Sequence, residues 1–138
     1  MRIYILDTDH LSLYGRNHLA LLQRLFAESV QLNTTVINVE EQLRGRLAQV
    51  AEAEDGTTKS NAYIRLVETV TLLSEFTILQ YSAKSHEIYK DLIAQNIPVG
   101  SQDLRIASIT LANKAILLTK NLQEFNKVPG LNIEDWSI

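Results

Sequence analysis

Cysteine is absent from the 138 residues, so neither a disulfide nor a thiolate metal site is available. Any metal must be held by oxygen or imidazole, and carboxylate oxygens suit hard cations such as Mg2+ or Mn2+. Glycine is scarce, and its five copies stand singly, which excludes a glycine-rich phosphate-binding loop. Long hydrophobic runs are missing as well. The apolar stretch at residues 3–6 is broken by Asp7 and Asp9, and nothing approaches the roughly 20 residues of a bilayer span. No secretion signal or membrane segment is therefore expected, and the chain reads as soluble and cytoplasmic. Positive charge is short too, with 13 Lys and Arg against 16 Asp and Glu, a formal net charge of −3. Phosphate-backbone affinity usually comes from clustered bases, and here only Arg44 and Arg46 form a local group. If nucleic acid is handled, a cation must supply much of the positive charge at the reacting phosphate.

What is present is a chain that can build a core. At 46% apolar and 21% charged it carries no compositional sign of disorder, and its length suits one domain spanning residues 1–138. Short apolar segments at residues 2–6, 30–35, 76–79, 115–119 and 131–133 read as strands. Between them, helical spacing covers residues 8–15, 19–26, 39–50, 60–74, 83–94, 102–114 and 121–125. In the helix over 60–74, the stripe Tyr63, Leu66, Val67, Val70 and Leu73 is expected to face the core. Strands alternating with helices imply an α/β fold with a mostly parallel sheet covered on both faces. Such sheets place their chemistry at the carboxyl ends of the strands, near a switch in strand order.

Acids recur at those places. Asp7 ends the first strand, Glu41 begins the helix after the second, Asp103 opens the helix before the 115–119 strand, and Glu124 lies just beyond it. Each has a bland explanation. Asp7 to Asp9 could terminate a strand and cap a helix. Asn38 with Glu41, and Asn121 with Glu124, have capping-box spacing. Asp103 could simply complement a helix macrodipole. Collectively the pattern is harder to dismiss. Two carboxylates about 5 Å apart repel by roughly 3 kcal/mol at an effective dielectric near 20. A divalent cation removes that repulsion, activates water and stabilises charge on a phosphodiester oxygen.

Other constellations are poor. His10, His18 and His86 show no metal-ligand spacing and read as surface residues or as supports behind a site. Ser12, Ser82 and Ser108 lack the setting of a nucleophile elbow. The aromatic residues form no base-stacking array along the sequence, and Trp136 reads as packing for the C-terminus.

Taken in order, these segments resemble a known family. Ile5-Leu6-Asp7-Thr8-Asp9 is similar to the opening strand and first acid of PIN domains. Residues 36–45 resemble the second motif, in which the acid stands four residues before a glycine, selecting Glu41 over Glu40. Residues 97–107 resemble the third, where Asp103 precedes Ile106-Ala107, and residues 117–125 the fourth. The tail at residues 128–131, with Asp135-Trp136, is similar to the ending of VapC-like toxins of toxin–antitoxin pairs.

The resemblance spans essentially the whole chain. It implies a three-layer α/β/α sandwich with a five-stranded, mostly parallel sheet. It implies Mg2+ or Mn2+ held by Asp7, Glu41, Asp103 and Glu124, with Thr8, Asp9, Thr119 and Asn121 contacting substrate or supporting the acids. It further implies endonucleolytic cleavage of RNA, a homodimer, and a cognate antitoxin as protein partner. One departure is Asn121, where many PIN domains carry aspartate; Glu124 then supplies the fourth acid. Two other readings fit parts of the pattern. A non-catalytic PIN-like or receiver-like binding module would fit Asn121 and the acidic composition. A haloacid-dehalogenase-type phosphatase would fit Asp7-Thr8-Asp9 after a strand, although Thr119-Lys120-Asn121 offers it no later acidic pair.

Overall fold

Tyr4-Ile5-Leu6 shows no polar alternation, the pattern of a strand covered on both faces. In the computed structural model, which describes residues 2–138, these residues form strand β1 (Tyr4–Leu6), buried throughout. Ile5 enters one hydrophobic core while Tyr4 and Leu6 enter another on the opposite face. The same division recurs on β4 (Ile116–Leu118), where Leu117 joins the first core and Leu118 the second. Alternate side chains of a strand point to opposite faces, so the two cores are the two covered sides of one sheet.

The first core is closed by α5 (Ala83–Ala94), α6 (Ser101–Ala112) and α7 (Leu122–Phe125), through Leu92, Leu104, Ile106, Ile109 and Phe125. The second is closed by α1 (Thr8–Gly15), α2 (Leu19–Ala27) and the end of α4 (Gly56–Leu73), through Leu11, Leu13, Leu21, Leu25 and Leu73. Trp136 seals the second core beside Tyr4, with ring centroids 4.7 Å apart. Between the two faces run α3 (Val36–Glu52) and the strands β2 (Asn33–Thr35), β3 (Thr77–Leu79) and β5 (Asn132–Glu134).

Every strand pairing is parallel: β1 with β4, β4 with β5, and β2 with β3. β2 lies beside β1 and is tied to it by side chains. Thr34 Oγ1 donates to the Leu6 carbonyl at 2.8 Å, and Asn33 Nδ2 donates to that of Tyr4 at 3.3 Å. The five strands thus run in the order β3-β2-β1-β4-β5, with backbone ladders interrupted only between β2 and β1. The buried hydroxyls explain why so polar a strand tolerates full burial, since buried polar groups persist when they are hydrogen-bonded. The chain leaves β1 in one direction and returns as β4 on its other side. The carboxyl ends of β1 and β4 therefore flank the switch in strand order.

Several sequence expectations change here. On α4 the buried face is Ala62, Thr69 and Leu73, whereas Tyr63, Val67 and Val70 of the expected stripe are 52%, 63% and 53% exposed. This helix packs along α3, and three of the five residues of its apolar stripe remain outside. Neither capping box forms. Thr35 caps α3, accepting from Asn38 N at 3.1 Å, which puts Glu41 in the second turn. Asn121 makes no side-chain cap on α7. Of the two readings of His10, burial removes the surface one and leaves that of a support behind the site.

Candidate active site

Asp7 stands at the N-cap of α1, yet its carboxylate makes no capping bond. It faces the switch point instead. Asn38 Nδ2 donates to one oxygen at 2.8 Å and Thr119 Oγ1 to the other at 2.9 Å. Thr119 follows β4 directly, while Asn38 comes from the first turn of α3, so three elements fix one carboxylate. Burial pushes the Asp7 carboxyl above its ordinary range, and the hydrogen bonds from Thr8, Thr119 and Asn38 pull it partly back.

Glu41 is half-buried one turn further along α3. Its Oε1 is buried without a hydrogen-bond partner. Burial first, and then the Asp7 and Asp103 carboxylates, push its pKa up to about 7. Its neighbour Glu40 behaves differently, pairing with Arg44 at 2.6 Å and accepting from Gln102 Nε2 at 2.9 Å. That partnership separates the two glutamates: Glu40 is neutralised at the surface, and Glu41 is left free in the basin.

Asp103 lies in the first turn of α6, after Gly100, which offers no capping side chain. Burial raises its carboxyl, followed by the charges of Asp7 and Glu124. Glu124 projects from α7 and holds Lys127 at 3.1 Å. The structure thus brings Asp7, Glu41 and Asp103 into mutual electrostatic reach, with Glu124 joined through Asp103. Among the described residues, however, no three Asp, Glu or His side chains close into a ready cation cage.

Of the supporting residues, Thr8 Oγ1 accepts from Asn38 Nδ2 at 3.0 Å. Asp9 Oδ2 accepts from Lys120 N at 3.0 Å and takes the longer, 3.3 Å branch of the single Thr119 hydroxyl proton, which it shares with Asp7. Asn121 is exposed and reaches the site through its backbone N–H, which donates to Thr119 Oγ1 at 3.0 Å. Two residues in this geometry are not among the site candidates named from sequence, although His10 reads there as a support behind a site. Asn38 was read as a cap and is instead the amide that orients Asp7. His10 binds Asp9 Oδ1 through Nδ1 at 2.6 Å and accepts from Trp136 N at Nε2, 3.1 Å away. An accepting Nε2 assigns the proton to Nδ1. The adjacency of His10 to Asp9 was the available signal, visible only once the C-terminal tail is in place.

The donor chemistry fits a hard divalent cation: carboxylate oxygens from separate elements, one of them buried and partnerless, with no softer ligand among them. The phosphatase reading is not supported. Its second aspartate would have to move protons, whereas Asp9 is tied to His10, Lys120 N and Thr119.

A parallel sheet between two helical layers, with acids gathered at its switch point, defines the PIN-type nuclease architecture. No family model matches the chain. Ribonuclease VapC2 of Rickettsia felis is 33% identical over 92 residues, covering 63% of this chain and 69% of that protein. The tRNA(fMet)-specific endonuclease VapC of Salmonella typhimurium is 33% identical over 86 residues, covering 59% and 65%. Ribonuclease VapC1 of Haemophilus influenzae is 26% identical over a 140-residue alignment covering 98% of each chain. Among solved structures, VapBC-1 from nontypeable Haemophilus influenzae matches with a TM-score of 0.76 at 22% identity, over 99% of both chains. VapBC2 from Rickettsia felis, bound to a promoter DNA fragment, gives 0.70 at 28% identity over 97% and 98%. The chain belongs to the VapC ribonuclease family.

Proposed function

We propose that this chain is a Mg2+- or Mn2+-dependent endoribonuclease, the toxin of a toxin–antitoxin pair, acting in the cytoplasm as one nuclease domain. The observation that carries the metal-dependent reading is Glu41. Its Oε1 is buried and partnerless, and burial first, then the Asp7 and Asp103 carboxylates, raises its pKa to about 7. Such an arrangement is unfavourable alone and becomes favourable around a cation. Asp7, Glu41 and Asp103 would hold that cation, with Glu124 at the rim. When bound, the metal supplies water activation and charge stabilisation at the phosphodiester. The chain's own residues supply orientation: Asn38 and Thr119 hold the Asp7 carboxylate in one rotamer, and Asp9 holds Thr119.

An antitoxin as partner is supported by relatives solved as VapBC complexes and by the apolar row Tyr63, Ile64, Val67 and Val70 exposed on α4. Expression without antitoxin should slow bacterial growth, and Asp7→Ala should relieve the effect at matched protein levels. The direct test is cleavage of RNA by the purified chain with Mg2+, Mn2+ or EDTA. Activity should require metal and fall by at least a hundredfold in Asp7→Asn, a loss of roughly 2.7 kcal/mol of transition-state stabilisation. Undiminished cleavage in EDTA would overturn the metal-dependent reading.

A further inference from the structure

The aromatic residues, scattered in the sequence, are not scattered in space. Tyr81 leaves the carboxyl end of β3, the edge at which Asp7 and Thr119 also stand. His86 and Tyr89 occupy the first two turns of α5. Tyr81 and His86 meet edge to face at 5.7 Å, with Tyr81 Oη and His86 Nδ1 2.9 Å apart. Tyr81 and Tyr89 meet at 6.4 Å, and the His86 and Tyr89 rings lie within 20° of parallel at 6.2 Å.

Arg105 completes the group. Its guanidinium sits over the Tyr89 ring, 4.8 Å from the centroid, two residues along α6 from Asp103. It donates to Gln102 Oε1 at 2.8 Å, and Gln102 in turn donates to Glu40, the neighbour of Glu41. The cluster is thereby tied through one amide to α3 and α6, the helices that carry Glu41 and Asp103. Among the described residues Arg105 has no carboxylate partner, unlike Arg24 and Arg44.

Core packing explains part of this arrangement, since Tyr81 and Tyr89 rest their inner edges on the hydrophobic core. It does not explain why an exposed imidazole continues the stack outward, or why a guanidinium without a carboxylate partner covers the inner ring beside an acidic basin. Aromatic faces with an adjacent arginine are what single-stranded nucleic acid uses for stacking and backbone contact.

We propose that Tyr81, His86, Tyr89 and Arg105 form a nucleobase-stacking subsite that holds one base of the RNA strand flanking the cleaved phosphate. The proposal rests on the ribonuclease reading and gives it a substrate contact. Stacking on π faces is tolerant of base identity, and it supplies affinity that a chain of net charge −3 cannot draw from phosphate contacts alone. Arg105 contributes the local cation, opposite in sign to the acids beside it.

The test uses the Asp7→Asn chain, in which cleavage is expected to be at least a hundredfold slower, so that binding can be read. Short fluorescent single-stranded RNAs carry one abasic position each, scanned along the strand, in Mg2+. One abasic position should weaken binding about tenfold, and that sensitivity should vanish in His86→Ala and in Tyr89→Leu. Tyr81→Phe should retain it, because the ring remains. Wild-type cleavage measured in parallel reports on the ribonuclease reading independently. Uniform affinity across the abasic series, or no RNA binding at all, overturns the subsite even where cleavage persists. So does abasic sensitivity that survives His86→Ala and Tyr89→Leu while their mass in solution changes, which would mark this face as a protein interface.

Discussion

A single carboxyl group illustrates how the site stores unfavourable energy. Glu41 has an ordinary pKa of 4.5, raised in the fold to about 7 by burial and by Asp7 and Asp103. Between those values the folded protein binds more protons at this position than the unfolded chain does. Without metal, the Glu41 contribution is therefore fully present below about pH 4.5 and is lost as pH rises through 7. Thermal melts in EDTA across this window should show that decline, and Glu41→Gln should flatten it while raising stability at pH 8. An unchanged pH profile in Glu41→Gln would place the titrating group elsewhere. His10 is the opposite kind of residue, with both ring nitrogens satisfied in a buried position. His10→Leu removes the acceptor for Trp136 N and the donor to Asp9, and leaving a buried polar group unpaired costs about 1–3 kcal/mol. Loss of stability together with a fall in kcat is expected, because Asp9 steadies Thr119 and through it Asp7. A destabilised His10→Leu whose kcat is intact below its melting range would show that the tail only packs.

Helix starts decide which acids are structural and which are free. Three local readings assigned carboxylates or amides to caps; Asp7 and Asn121 do stand at N-cap positions but make no side-chain capping bond, and on α3 the cap is Thr35. Thr35 took the cap of α3 because its hydroxyl stands at the strand-to-helix turn, and this released Asn38 and Glu41 for the site. Spacing alone could not reveal that, since Asn38-x-x-Glu41 satisfies the same pattern. The strands and the positions of Asp7 and Asp103 were legible because burial on both faces and strand-end placement leave local marks in sequence. The contact of His10 with Trp136 and the gathering of Tyr81, Tyr89 and Arg105 were not, since they join residues far apart along the chain. The short helix α7 supplies a test at this scale. Glu124 makes only an exposed pair with Lys127, worth about 0–1 kcal/mol, while its charge reaches Asp103. Glu124→Gln should leave the melting temperature nearly unchanged and reduce metal-dependent cleavage at least tenfold. Asn121→Ala should change little, because its side chain makes no cap and the site uses its backbone N–H. If Asn121→Ala were inactive and Glu124→Gln fully active, the fourth position would belong to Asn121.

At the scale of the whole molecule, the sheet gathers repulsion at one edge, while elsewhere several charges pair locally, as Arg44 does with Glu40 and Lys90 with Glu87. The acids come from α3, α6, α7 and the end of β1, so their mutual repulsion works against the docking of those elements on one another. A cation binding the folded basin alone would offset it, and the gain follows from mass action. At one hundred times its dissociation constant, such a ligand stabilises by about 2.7 kcal/mol, or roughly 8 °C for a chain of this size. Asp103→Asn separates this linkage from general salt effects. Removing one charge should raise the melting temperature in EDTA, because the cost of burying that charge and its repulsion from Asp7 and Glu124 disappear. The same substitution should shrink the Mg2+ response. Scanning calorimetry of wild type, Asp103→Asn and Asp7→Asn, each with Mg2+ and with EDTA at equal ionic strength, measures both effects. Asp7→Asn should show the smaller apo gain, since it also disturbs the hydrogen bonds from Asn38 and Thr119. Equal Mg2+ responses in all three proteins would mean that the cation binds elsewhere and that the carboxylates serve only one another.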